Sequence, residues 1–170
     1  LIIMKQGEVS PNVTGITDGK EKNSFSLPEG TTIVAEVSGD TITTVTSLSV
    51  GTTYSFIIIP FNRVTNDDTY NYKTDATPPS LTLSTLKNAP TIQATNIIFS
   101  SITETSMTVE WTRGNGDYCV VVMHESSSVN TNPANGNEYA AGTSLWNDGT
   151  EIGTANFVAY TGTGTSIALT

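Results

Sequence analysis

The chain has 170 residues, 16 acidic against 7 basic, and a formal net charge of -9. Thirty Thr and 17 Ser stand beside 14 Gly and 7 Pro, and only 14% of residues are charged, so helix-favouring Ala/Leu/Glu/Lys runs are missing and the composition reads as all-β. With no Lys/Arg cluster to hold phosphate, and no apolar run beyond strand length, nucleic-acid binding and membrane insertion are not expected.

In chain order, the first expected strand is residues 1–6, "LIIMKQ", a nearly continuous apolar run of the kind found in central strands. A long excursion follows, then strands near 31–38 and 41–48, "TTYSFIIIPF" at 52–61 and "TYNYKT" at 69–74. Residues 76–90, "ATPPSLTLSTLKNAP", carry the prolines that end one sheet and precede the next, and are expected to be a linker. Beyond it come strands near 92–99, 105–112 and 118–125, a second excursion, and strands near 152–160 and 165–170. In "SMTVEWT", Met107, Val109 and Trp111 alternate with polar residues, the period-two pattern of a strand with one dry face.

The two halves repeat. Ile2, Ile3 and Met4 fall on Val121, Val122 and Met123 at a shift of 119, and Gly30, Thr31 and Ile33 fall on Gly149, Thr150 and Ile152 at the same shift. "TTVTSL" matches "SIALT" after a small gap. Overlaid, the halves make one seven-stranded unit of about 120 residues, of which 1–75 supplies the later strands and 91–170 the earlier ones. The expectation is a window cut out of frame from a tandem array. The absence of an initiating Met and of a signal peptide fits an excised or mature piece.

"LSVGTTYSFIII" is the most diagnostic stretch: Leu48 closes one strand, Gly51 permits a sharp turn, and Tyr54 opens the next strand with its hydroxyl directed back to the turn backbone. The early-strand Trp111 together with this Leu-x-x-Gly-x-x-Tyr pattern resembles the fibronectin type III family. Residues 89–170, with "GTEIGTANFVAY" closing the excursion, resemble the fibronectin type III-like repeats of large secreted or surface proteins of Gram-negative bacteria; residues 1–75 are a more divergent copy. The resemblance implies two incomplete Greek-key β-sandwich modules with Tyr54, Leu48, Trp111, Val109 and Met123 in their cores, an extracellular location, and a non-catalytic spacer or adhesion role. Its implied partners are neighbouring repeats of the same chain, with a surface glycan or protein as a further class. An accessory carbohydrate-binding module and a strand-exchanged filament subunit are the rival readings.

Chemistry is sparse. Cys119 is the lone cysteine and sits in an apolar run, which reads as a small hydrophobe. His124 is the single histidine, expected at a strand end with an ordinary surface role; no paired-His metal site, nucleophile elbow or phosphate loop is present, and no cofactor is implied. "NDD" at 66–68, with Asp67 and Asp68 adjacent, and "NDG" at 147–149 lack the spacing of a calcium loop and read as solvated turns. The sequon "NVT" at 12–14 matters only in a source that glycosylates secreted proteins. Among aromatic platforms for sugar, Trp146 is the leading candidate, with Tyr139 and Tyr160 as companions. Its alignment with Leu27 favours instead a plug folded over the sandwich edge.

Overall fold

The computed structural model describes residues 1–39, 42–64, 69–143 and 145–170. Among these residues it is all-β apart from one 3-10 turn at Lys22–Ser24, and it divides into two compact units, Leu1–Asn88 and Ala89–Thr170.

In the first unit, β1 (Ile2–Gln6), β2 (Thr31–Ala35), β3 (Thr53–Ile58) and β6 (Ser80–Ser84) form one antiparallel sheet in the order β2-β1-β3-β6. The short strands β4 (Phe61–Asn62) and β5 (Asn71–Tyr72) make a separate ribbon. β1 is central: Ile3 pairs with Ile33 on one side and Ile57 on the other. Alternation then sends Ile3 and Ile57, with Leu1, Ile59, Tyr70 and Tyr72, into a core that Val13, Ile16, Phe25 and Phe61 close from the excursion and the ribbon. Tyr70 and Tyr72 stack 5.8 Å apart, and Phe25 meets Tyr72 edge-on at 5.3 Å.

The other face of this sheet carries Ile2, Met4, Tyr54, Phe56, Ile58, Leu81 and Leu83 by register. It is open: Ile58 is 51% exposed, and Leu81 and Leu83 are 66% exposed each. Tyr54 is nonetheless buried, and its hydroxyl accepts the Ser49 N–H at 2.9 Å across the Gly51 corner. Gly51 has φ +59 and stands against Lys87, while Thr85 Oγ1 donates to Ser49 O and accepts from Thr52 N, so the corner is tied to the end of β6. Leu48 is half-buried.

Two expectations change here. Residues 80–84 of the expected linker form β6, because "SLTLS" alternates well enough to line the β3 edge while the flanking Pro79 is tolerated at a strand start. The strand expected at 41–48 does not form: residues 42–48 join no ladder, and 41 lies outside the described residues. Its counterpart in the second unit pairs with a strand that has no equivalent among the described residues of the first, and a strand without a partner leaves its backbone groups to water. The expected strand at 69–74 shrinks to β5 for the same reason, its partner β4 being two residues long.

In the second unit, β7 (Thr95–Ser100), β8 (Met107–Thr112) and β11 (Ser166–Leu169) form a sheet in the order β11-β8-β7, and β9 (Cys119–His124) pairs with β10 (Asn156–Gly162). Val109, Trp111, Ala159 and Leu169 are buried between them, with Met107, Cys119, Val121, Met123 and Tyr160 packed around. Trp111 and Tyr160 lie 5.4 Å apart. Tyr160 arches over Gly162 and Gly164 and accepts the Gly164 N–H at 2.7 Å; a Cβ at Gly162 would come within 2.5 Å of its hydroxyl. β10 begins at Asn156, not 152, because the chain turns through Ala155 at φ 58, with Ile152 N–H bonded to Asn156 O at 2.7 Å.

Two measurements follow from the first unit. Tyr54→Phe removes the corner bond and is expected to lower the urea stability of this unit by about 1 kcal/mol at unchanged m-value. Burial, with Tyr70 alongside, pushes the Tyr72 phenol up to about 12. A raised folded-state value means that the unfolded chain loses this proton first. Its contribution is therefore whole below about pH 10 and is lost as pH climbs from there through 12. Tyr72→Phe is expected to flatten the alkaline limb of the stability profile followed by circular dichroism.

Candidate functional site

The second excursion carries Tyr139, Trp146 and Asp148 of the side chains that the sequence singles out. Its inner part lies along β10: Gly142 N–H bonds to Val158 O at 3.1 Å, Val158 N–H to Thr150 O at 3.0 Å, and Thr150 N–H to Ala140 O at 2.9 Å. Val158 is completely buried beneath it. Gly149 is required there, since a Cβ would collide with Val158 O. Asn156, also completely buried, accepts from Asn130 N and donates to Asn130 Oδ1 and Thr154 O, fixing where the excursion starts.

Trp146 is half-buried and meets Phe157 of β10 edge-on, 5.7 Å between centroids at 84°. Tyr160 is half-buried against Trp111, and the Tyr139 hydroxyl accepts the Ala134 N–H at 2.8 Å inside its own loop. The three rings thus occupy three separate contact sets and present no shared flat platform. Tyr160 faces the core, Tyr139 closes a loop, and Trp146 keeps part of its surface open beside a groove of about 450 Å³ shared with Met107, Met123, His124 and Glu125. The sequence missed Phe157, the ring that seats Trp146; its place in "ANFVAY" marks it as a strand residue, but nothing in the spacing tells which face it takes.

His124 is half-buried at the end of β9. Its Nδ1 lies 2.8 Å from Glu125 O, which only accepts, so Nδ1 carries the proton. Ser127 Oγ lies 3.0 Å from that same nitrogen and 3.4 Å from Nε2. A backbone carbonyl orients the ring here, whereas a nucleophile–base pair needs the hydroxyl on one nitrogen and a carboxylate on the other. The pair fastens the strand end to the loop.

"NDG" is a braced turn: Asp148 accepts from Thr143 N at 3.0 Å and Thr143 Oγ1 at 3.2 Å. Asp67 and Asp68 lie outside the described residues. Among the described residues no three His, Cys, Asp or Glu side chains gather as metal ligands would, and no helix is long and apolar enough to cross a membrane.

The first unit holds an open cleft of about 850 Å³ that the sequence did not mark. Glu36 joins Arg63 at 3.0 Å and Lys22 at 3.5 Å, and Arg63 also donates to the Tyr70 hydroxyl at 2.9 Å, with its guanidinium carbon 5.6 Å from the Tyr70 ring centroid. Each cation has the same carboxylate as partner, so the cluster ties the residue after β2 to Lys22 and to Arg63. The pairing could not be read from the sequence because Lys22, Glu36 and Arg63 come from three separate segments.

The second unit also holds an apolar groove of about 260 Å³. Ile97 and Phe99 of β7, Val109 and Trp111 of β8, and Cys119 and Val121 of β9 line it. Ile97 is 67% and Phe99 56% exposed. The indole N–H of Trp111 is buried without an acceptor among the described residues.

Trp146→Ala removes the edge contact with Phe157, of the order of 1 kcal/mol. Amide exchange at Gly142 and Thr150 is therefore expected to quicken about fivefold, with the Trp111 core amides unchanged. Comparisons with known protein families, with curated proteins and with solved structures return no match for this chain.

Proposed function

We propose that the chain is a non-catalytic stretch of tandem fibronectin type III-like β-sandwich repeats, belonging to a secreted or cell-surface bacterial protein in which such repeats space or display other domains and contribute to adhesion. The observation that supports this most is the repeat itself. β1 and β9 share a sequence signature, each lies antiparallel to the strand that follows a long excursion, and in both units that excursion packs against the sheet that the strand belongs to. Side chains with catalytic potential are used as fasteners: His124 and Ser127 at a strand end, Asp148 in a turn, Glu36 in a clamp. A net charge of -9 keeps an array of such sheets soluble and repels its neighbours.

The test is affinity electrophoresis of the chain through gels carrying a panel of soluble polysaccharides, with Trp146→Ala alongside. Unaltered mobility of both proteins on every polysaccharide is the expected result. Retardation of the native chain that Trp146→Ala abolishes would replace the spacer reading by that of a carbohydrate-binding module.

A further inference from the structure

We infer that Asn135 is a site of spontaneous covalent modification, its side-chain amide being converted to aspartate and isoaspartate after attack by the Gly136 backbone nitrogen. The inference rests on local chemistry and not on the spacer reading, so the polysaccharide test and the one below fail independently.

The reaction is favoured where Asn or Asp precedes glycine, because glycine alone leaves the attacking nitrogen without a flanking side chain. Four such pairs occur: Asp18-Gly19, Asn115-Gly116, Asn135-Gly136 and Asp148-Gly149. Three of them are fastened. Asp18 Oδ1 accepts the Tyr72 N–H at 2.7 Å, and the Gly19 N–H is itself spent on Tyr70 O at 2.8 Å. Asp148 accepts from Thr143 N at 3.0 Å and from Thr143 Oγ1 at 3.2 Å. Asn115 Oδ1 accepts the Thr91 and Ile92 N–H groups at 3.0 and 2.9 Å, and its amide donates to Thr91 Oγ1 at 3.0 Å. A side chain held in this way must break those bonds before its carbonyl carbon can reach the next backbone nitrogen.

Asn135 has no such restraint. It lies exposed in a turn closed by the Asn137 N–H on Ala134 O at 3.4 Å, with Gly136 at φ +79 and open space where a Cβ would stand. Among the described residues no hydrogen bond engages the Asn135 side chain or the Gly136 N–H. Asn115 is also exposed, so access of water does not separate the two Asn-Gly pairs; freedom of the side chain does. The neighbouring asparagines do not compete: Asn132 precedes Pro133, which has no N–H to lose, and Asn137 precedes Glu138, whose side chain crowds the approach.

In the first step the Gly136 nitrogen bonds to Asn135 Cγ, its proton leaves with the side-chain nitrogen as ammonia, and a five-membered cyclic imide remains. Water then opens the imide at either carbonyl. One opening leaves aspartate in the original main chain; the other routes the main chain through the former side chain and leaves isoaspartate. Both products add a negative charge to a chain already at -9. Isoaspartate also inserts a methylene into the main chain, inside the span that the Tyr139 hydroxyl closes through the Ala134 N–H.

The experiment holds the full chain at mildly alkaline pH, without denaturant and in concentrated guanidinium chloride, and follows both Asn-Gly sites by peptide mass mapping. In the folded chain Asn135 is expected to react at least about tenfold faster than Asn115, whose three hydrogen bonds must first open. In denaturant the two rates should converge. Hydroxylamine, which intercepts the imide and severs the chain there, gives a second readout: the folded chain should yield fragments 1–135 and 136–170, and Asn135→Gln should resist cleavage. Equal rates at the two sites of the folded chain, or faster reaction at Asn115, would overturn the inference. So would an Asn135 that stays intact in the folded chain while both sites react in denaturant.

Discussion

A central strand that buries one face must also have both of its edges paired, because a backbone N–H or C=O removed from water without a partner costs a large part of what side-chain burial at that position returns. β1 meets the condition in full: β2 and β3 take its edges, and the Ile3 face lies under an aromatic cover made by Phe25, Phe61, Tyr70 and Tyr72. Much of the first unit is arranged around that requirement. Tyr54 turns the corner that delivers β3 to the edge of β1, Thr85 and Gly51 hold the corner to β6, and the Glu36 clamp fastens the chain beyond β2 to the segment that carries Tyr70.

The excursions solve the face problem in the two units by the same means. In the first, Val13, Ile16 and Phe25 come from the chain between β1 and β2 and cover the isoleucines. In the second, the stretch between β9 and β10 hydrogen-bonds along β10 and buries Val158, with Trp146 laid edge-on against Phe157. Trp146 and Leu27, aligned by the repeat, are both half-buried in their excursions. Long loops of this composition would otherwise lose much entropy for little contact; the backbone bonds to β10 supply the compensation.

Legibility from sequence followed how local each signal was. The alternation in "SMTVEWT" gave β8 and the inward Trp111, and the spacing from Leu48 through Gly51 to Tyr54 gave a corner whose hydroxyl bond reaches back five residues. What failed was what depends on a distant partner. β6 hid behind Pro78 and Pro79, since a five-residue run flanked by prolines reads as linker unless the β3 edge beside it is known. Conversely "ITTVTSL" has strand composition but joins no ladder, since composition records propensity and not the presence of a neighbour. The aromatic candidates divided on the same ground: spacing placed Trp146, Tyr139 and Tyr160 on one stretch of chain, while Phe157, the Ala134 amide and Trp111 draw them to three different places.

The buried Asn156 has a consequence for how this architecture tolerates change. It grips Asn130 through both its amide and its carbonyl oxygen, while Ala140, Gly142 and Thr150 are stitched at the far end of the excursion. The tract from 131 to 139 therefore hangs between two anchored points, mostly solvent-exposed and with Tyr139 as its principal internal tie. Length variation, a grafted epitope or a protease nick in that tract would leave the strands on either side clasped, so this is where the sequence can change without loosening the sheet.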